Sequence, residues 1–373
     1  MTSGSSGQRV PLLGLTPRAR HLLPVFLVVL MVLTLMRLCS ERPTEALLEF
    51  RGPTMGTTYS VTIVAKGVSS AGRHTLAAMI EDLLTGVDRL MSTYDPESEL
   101  SRFNRHSSTE AFAVSPETFE VLRVALEVSE LTGGAFDVTV GPLVAAWGFG
   151  ATDRVPAPPQ PEELAALRQR VGYRLLELDP ASRSVVKRHP ETECDLSAVA
   201  KGYGVDAVAR GLVERGYTDF LVEVGGETKA RGEREGGGPW RVAIERPEPA
   251  RRSIFKVVEL ENRALATSGD YRSYYEKDGV MLSHLIDPRS GRPIAHGLAS
   301  VSVVHPSAAH ADALATGLGV LGAEEGYTLA ESRGLAAYFI VRERDGGLRG
   351  IPTPAFESLG GQDGSARVDP AEP

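Results

Sequence analysis

LASVSVVHPSAAHADALATGLGVLG, residues 298–322, holds a strand and a helix back to back, and its reading sets the fold class. The first part, LASVSVVH, is rich in β-branched residues and reads as a strand. Pro306 and Ser307 then open a segment that reads as helical, because proline suits the first turn and serine can cap free N–H groups. Outward from this unit, DFLVEVGG, WRVAIERP, FKVVEL and LAAYFIV repeat the strand composition, and TTYSVTIVA at 57–65 alternates Tyr59, Val61 and Ile63, the pattern of one buried face. Helical spacing appears from Leu76 to Met91, an apolar stripe that ends near TYDP and Pro96. A second helix starts at Ser115 and Pro116, runs through Phe119, Leu122 and Leu126, and finishes at Gly133 and Gly134. Residues 155–161, VPAPPQP, read as a stiff loop before a short helix in EELAALRQRVG, and RLLELD with RSVVKR reads as a hairpin. Strands and helices are intermingled rather than strictly alternating, so the expected class is α+β, with mixed or antiparallel sheets and flanking helices.

The chain's 373 residues, 42% hydrophobic and 24% charged, suffice for a full core, in one interwoven domain or in two or three. A net charge of -8 without a basic stripe argues against nucleic acid as the main partner. Two cysteines, Cys39 and Cys194, build neither a disulfide framework nor a cysteine zinc site. Residues 22–36, LLPVFLVVLMVLTLM, follow Arg9, Arg18 and Arg20 in the manner of a basic flank and an apolar segment. With Arg37 snorkelling and Leu38 counted, residues 22–38 read as a membrane anchor or signal segment. No AxA-like cleavage site is seen, which favours an uncleaved anchor with residues 1–21 as a disordered cytoplasmic segment. Cys39 as a lipidated first residue is the competing reading, disfavoured by Arg37 and Leu38 where lipoprotein signals want small residues. Residues 358–373 read as a disordered tail.

Several stretches carry residues suited to chemistry. DLSAVAKGYGVD at 195–206 enters a helix, where Ser197 can cap free N–H groups and Lys201 adds positive charge for an anionic phosphate. Asp312 and Thr316, four apart on the helix after Pro306, share a face and offer two hard oxygens suited to magnesium. In SHLIDPRSGRPI at 283–294, His284 can take a proton from an attacking hydroxyl and Asp287 can orient the loop or the ring. Met55 in MGTTYSV and Tyr94 in MSTYDPESELSRFN can flank a flat ring system, and GAFDVTVGPLVAAWGFG at 134–150 places Phe136, Asp137 and Trp147 in a turn-rich loop. Taken singly, these are more often the marks of an ordinary cap, turn, surface or packed core, and packing explains the 134–150 loop equally well.

In combination, MGTTYSV, MSTYDPESELS, TGGAFDVTVGPLV, DLSAVAKGYGVD, VGGE, SHLIDPRSG and ADALAT, in that order, closely resemble the ApbE family, the FAD:protein FMN transferases. The resemblance implies an ApbE-type fold over residues 46–350 with an FAD cleft between two lobes. By position it implies FAD contacts from Met55, Tyr94, Ala135, Phe136, Asp137, Asp195, Lys201 and His284. Magnesium would be held by Ala198 through its main-chain carbonyl, by Asp312 and by Thr316, with His284 and Asp312 as the catalytic pair. Lys201 falls where some relatives carry Glu. The implied reaction attaches FMN through a phosphoester to a threonine or serine of a target protein and releases AMP. Implied partners are subunits of respiratory membrane complexes of the sodium-pumping quinone reductase or Rnf type, or flavin-carrying reductase domains. The implied place is the outer, periplasmic face of a bacterial inner membrane. An FAD pyrophosphatase giving FMN and AMP, and a non-enzymatic periplasmic FAD-binding protein, are the alternatives.

Overall fold

A computed structural model of the chain describes residues 45–150, 155–248, 253–270, 274–277 and 280–359, together with Val28, Leu30 and Met31. Those three are helical and exposed, and the rest of the expected anchor at 22–38, the 1–21 segment, Cys39 and the tail from Gly360 lie outside the described residues. No helix among the described residues is long and apolar enough to cross a membrane. The chain divides into two compact units, residues 1–46 and residues 47–373.

The frame is an eight-stranded sheet whose strands lie side by side in chain order. They are β1 (Glu45–Thr54), β2 (Thr57–Lys66), β3 (Phe220–Val224), β4 (Glu227–Arg231), β5 (Ala264–Gly269), β6 (Leu298–His305), β7 (Ala336–Arg342) and β8 (Leu348–Pro352). From β2 to β8 every neighbouring pair is antiparallel. Four longer helices, α1 (Ser70–Met91), α2 (Pro116–Leu131), α3 (Ser197–Glu214) and α4 (Ala308–Ser332), are inserted between these strands. α4 packs on β5 and β6, α3 packs on α4, and α1 and α2 pack outside them. On the opposite face, an antiparallel ribbon of Trp240–Glu245 and Ile254–Leu260 covers β6 and β7, where Trp240, Ile244 and Leu260 meet Val304, Tyr338 and Ile340. Covered on both faces, β6 is buried at seven of its eight positions, Ser300 and Ser302 included, where TTYSVTIVA alternates buried and part-exposed residues.

The local signals act as their chemistry dictates. Ser69 caps α1 by accepting from Gly72 N, and Ser115 caps α2 by accepting from Thr118 N. α1 ends at Met91, ahead of Pro96: Ser92 turns the chain by accepting from the N–H groups of Tyr94 and Asp95, so serine and not proline stops the helix. Ser307 caps α4, and Gly322 breaks its regular course with φ 81° and ψ -175°. The His296 ring fills the space beside that glycine, 2.7 Å from where a Cβ would stand, and its Nε2 lies 3.2 Å from the Val320 carbonyl oxygen.

The tightest contact between helices is where α3 crosses the start of α4. A Cβ on Gly202 would sit 2.3 Å from the Ala308 carbonyl oxygen and 2.8 Å from Ala309 Cα, so hydrogen is the only side chain that fits. Gly202→Ala is expected to force the two helices apart and cost about 1–3 kcal/mol of unfolding free energy. Chemical denaturation measures this, and a wild-type midpoint would contradict the crossing.

Candidate functional site

The crossing of α3 and α4 forms the floor of a cleft of about 710 Å³, within the range of small-molecule and cofactor sites. Asp312, one turn into α4, accepts from Gly202 N at 3.1 Å through Oδ2. Lys201, the residue before that glycine, places Nζ 3.4 Å and 3.5 Å from the two Asp312 oxygens and 3.0 Å from Oε1 of Glu227 at the start of β4. Both carboxylates are deeply buried, Asp312 and Glu227 each only 4% exposed. Burial works against the Lys201 charge, but the Asp312 and Glu227 carboxylates outweigh it and hold the ammonium above its usual range. Burial likewise pushes the Glu227 carboxyl up, with Lys201 pulling against it.

The side walls come from two loops and a ribbon end. Asp137 is buried beside the cleft and accepts from Thr139 N at 2.8 Å, Thr139 Oγ1 at 2.6 Å and Tyr173 N at 2.6 Å. Burial raises its carboxyl above the ordinary range, opposed by these hydrogen bonds. Asp195 donates its N–H to the Val138 carbonyl and accepts from Ser197 N at 2.8 Å. The helix entrance is therefore served by Asp195. Ser197, expected as the cap, is instead the first residue of α3, inside the helix rather than at its cap position, and its own N–H is one of the free donors, taken by Asp195. His284, half-buried, follows the ribbon Tyr274–Lys277 and Val280–Ser283, with Phe149 edge-on at 6.4 Å between ring centroids and Tyr275 against the same phenyl ring at 5.2 Å.

Of the residues singled out from sequence, Tyr94, Ala135, Phe136, Asp137, Asp195, Ala198, Lys201, His284, Asp312 and Thr316 all line this cleft. Tyr94 stands at its rim, 75% exposed. Met55 is not among the lining residues. It sits at φ 45°, with its side chain packed into the core and its methyl carbon 2.9 Å from where a Gly204 Cβ would stand. Trp147 is also a packing residue, buried with Nε1 donating to the Gly291 carbonyl oxygen. Asp287 is committed to its turn, accepting from Arg289 N at 2.9 Å and pairing with that residue's guanidinium at 3.0 Å.

The cleft also draws on residues that no motif had marked with a role: Glu223, Glu227, Thr228, Glu245, Ser268 and Phe149. Glu227 closes the VGGE motif, and the adjacent glycines, at φ 62° and 109°, were the signal of a tight turn approaching a site.

Among the described residues, no group of three His, Cys, Asp or Glu side chains could hold a metal ion. A cation here would rest on hard oxygens of mixed origin, and the cleft supplies them. Asp312 offers a carboxylate, Thr316 a hydroxyl one turn on, and Ala198 a carbonyl. Gly202 N–H, one turn on, donates to Asp312, and a carbonyl oxygen carries two lone pairs, so Ala198 can still accept a cation. Such a set fits magnesium, which takes few protein ligands and fills its remaining positions from water and phosphate.

A family model described as the ApbE family matches residues 55–339. The FAD:protein FMN transferase of Vibrio cholerae is 45% identical over 322 residues, spanning 86% of this chain and 95% of its own length. That of Escherichia coli K12 is 38% identical over 329 residues, covering 86% of this chain and 93% of its own. Among solved structures, the flavin transferase ApbE of Vibrio cholerae superposes with a TM-score of 0.77 at 43% identity, covering 84% of this chain and 99% of that one. The apo flavinyl transferase ApbE of Pseudomonas stutzeri gives 0.77 at 39% identity, covering 84% and 97%.

The Asp137 clasp generates a prediction of its own. Asp137→Ala leaves the N–H groups of Thr139 and Tyr173 without their acceptor and is expected to cost about 1–3 kcal/mol while loosening the loop at the cleft wall. Hydrogen exchange of residues 135–141 and 172–173 checks this, and unchanged protection would show that the clasp is dispensable.

Proposed function

The chain belongs to the ApbE family of flavin transferases, and from that premise we propose that it is a magnesium-dependent FAD:protein FMN transferase. One observation carries the reading: ten residues scattered from Tyr94 to Thr316 converge on a single cleft, with phosphate, hard-cation and proton chemistry represented side by side.

In this reading FAD lies in the cleft with its diphosphate over the α3 entrance, and Tyr94 and Phe136 border the ring system. Asp312, Thr316 and the Ala198 carbonyl hold magnesium, which when bound neutralises diphosphate charge and stabilises charge developing at phosphorus. A threonine or serine hydroxyl of the target attacks the phosphorus of the FMN half. The new P–O bond to the target forms as the P–O bond to AMP breaks, and AMP carries away the bridging oxygen. His284 takes the hydroxyl proton, since an alcohol is a poor nucleophile at neutral pH. Phe149 stands edge-on to the imidazole. Respiratory membrane-complex subunits of the sodium-pumping quinone reductase or Rnf type, or flavin-carrying reductase domains, are the proposed targets. The apolar segment at 22–38 supports a site of action on the outer face of the inner membrane.

Full-length protein incubated with FAD, magnesium and a threonine-bearing acceptor should give fluorescent acceptor and AMP together. AMP without labelled acceptor would mark a pyrophosphatase, and FAD binding without AMP a carrier. Asp312→Ala is expected to abolish metal-dependent AMP release, and wild-type turnover in this variant would overturn the cation assignment. His284→Ala should keep FAD binding within about tenfold while flavin attachment falls ~100-fold. A parallel fall in both would make His284 a binding residue.

A further inference from the structure

The ion cluster on the cleft floor contains one carboxylate more than the proposed cation site uses. Lys201 Nζ lies 3.0 Å from Glu227 Oε1 and 3.4 Å from the nearer oxygen of Asp312. Asp312 Oδ2 is already anchored by Gly202 N–H at 3.1 Å, so Oδ1 is the oxygen for which a cation and the ammonium compete. Glu227 differs: its Oε2 is buried and has no hydrogen-bond partner, an expensive arrangement for a carboxylate unless something occupies that oxygen in another state. The ammonium stem has room to pass, because position 225 is glycine. A Cβ there would stand 3.2 Å from Lys201 Cδ and 3.5 Å from Glu227 Oε2.

A divalent cation on Asp312 repels an ammonium paired to the same carboxylate. Expelling Lys201 without a destination would leave a partly buried, unpaired charge beside the metal, which is strongly unfavourable. Glu227 removes that cost by offering a full carboxylate within reach.

We propose that Lys201 and Glu227 form a charge latch, in which Lys201 neutralises Asp312 until a divalent cation arrives and then moves wholly onto Glu227, filling its bare Oε2. The latch rests on the reading of Asp312 as a cation ligand. Glu227 is in this role a positioning residue that acts through Lys201. It keeps the empty site from accumulating uncompensated negative charge and lowers the work of loading it. No covalent bond changes.

The test uses Mn²⁺ as the probe, titrated into the full chain in detergent without FAD and followed by the loss of the free-ion paramagnetic resonance signal, so that the readout is independent of turnover. Glu227→Gln is expected to weaken Mn²⁺ binding about tenfold, the scale of a partly buried charge pair. Lys201→Met should tighten it by removing the competitor, and adding Glu227→Gln in that background should change affinity by no more than about threefold, the coupling that marks action through the lysine. Lys201→Arg should restore sensitivity to Glu227→Gln. No effect of Glu227→Gln in the wild type overturns the latch, as does an equal weakening in both backgrounds, which would make Glu227 act on the cation directly. Should Glu227→Gln fail to fold, Glu227→Asp, with shorter reach and the same charge, gives the same comparison. Asp312→Ala separates the two levels of the argument. Wild-type Mn²⁺ binding in that variant sinks the cation reading itself, whereas lost binding there with a silent Glu227→Gln sinks the latch alone.

Discussion

Where α3 meets α4, two backbones touch with only the hydrogen of Gly202 between them, and the chemistry of the cleft floor follows from that distance. A close crossing brings the N–H of Gly202 to Asp312 and sets Lys201 against the same carboxylate. It also brings Ala198, one turn before that glycine, and Asp312 to the lining of the same cleft. Small residues continue along the start of α4, where Ala308, Ala309, Ala311, Ala313 and Ala315 are all buried. The alanines let the helix lie flat against α3 and the sheet, while Asp312 and Thr316 are the polar positions that reach the cleft.

The sheet holds this crossing in place. α4 leaves β6 after a short turn at Pro306 and Ser307, so its first turns are tied directly to a strand buried on both faces. Its far part is redirected at Gly322, with His296 filling the gap and contacting the Val320 carbonyl. The outer wall is held by longer connections. Trp147 binds the Gly291 carbonyl, Arg168 donates to the Arg289 carbonyl, and Asp137 clasps Tyr173, so segments distant in sequence are tied into one border. A border fixed in this way can present His284 and the loop at 135–137 in a lasting arrangement.

Charge balance then shapes what the cleft can accept. Six carboxylates line it, from Asp137, Asp195, Glu223, Glu227, Glu245 and Asp312, against Lys201 as the single lysine or arginine among the described lining residues. An anionic diphosphate would be repelled by such a surface without added cations. The proposed divalent ion would supply that positive charge. The half-buried Lys201 ammonium offsets part of that negative charge in the folded chain.

Much of this was legible in the residues themselves. Ser115 ahead of Pro116, and Ser307 after Pro306, mark helix starts because capping is a local matter of one hydroxyl and a few N–H groups. The alternation at 57–65 marks a strand with one buried face, the β-branched stretch at 298–305 marks a strand without saying how many of its faces are covered, and Asp312 and Thr316 share a helical face by spacing alone. Ordered motifs were enough to point to a family. Distance through space was beyond them. That Glu227 meets Lys201, that Asp195 rather than Ser197 serves the helix entrance, that Asp287 is consumed by Arg289, and that Met55 turns into the core depend on how α3, α4 and the sheet dock. Local sequence determines which backbone hydrogen bonds a segment can make with itself. Which carboxylate shares which ammonium is decided only when packing brings together residues that lie far apart along the chain.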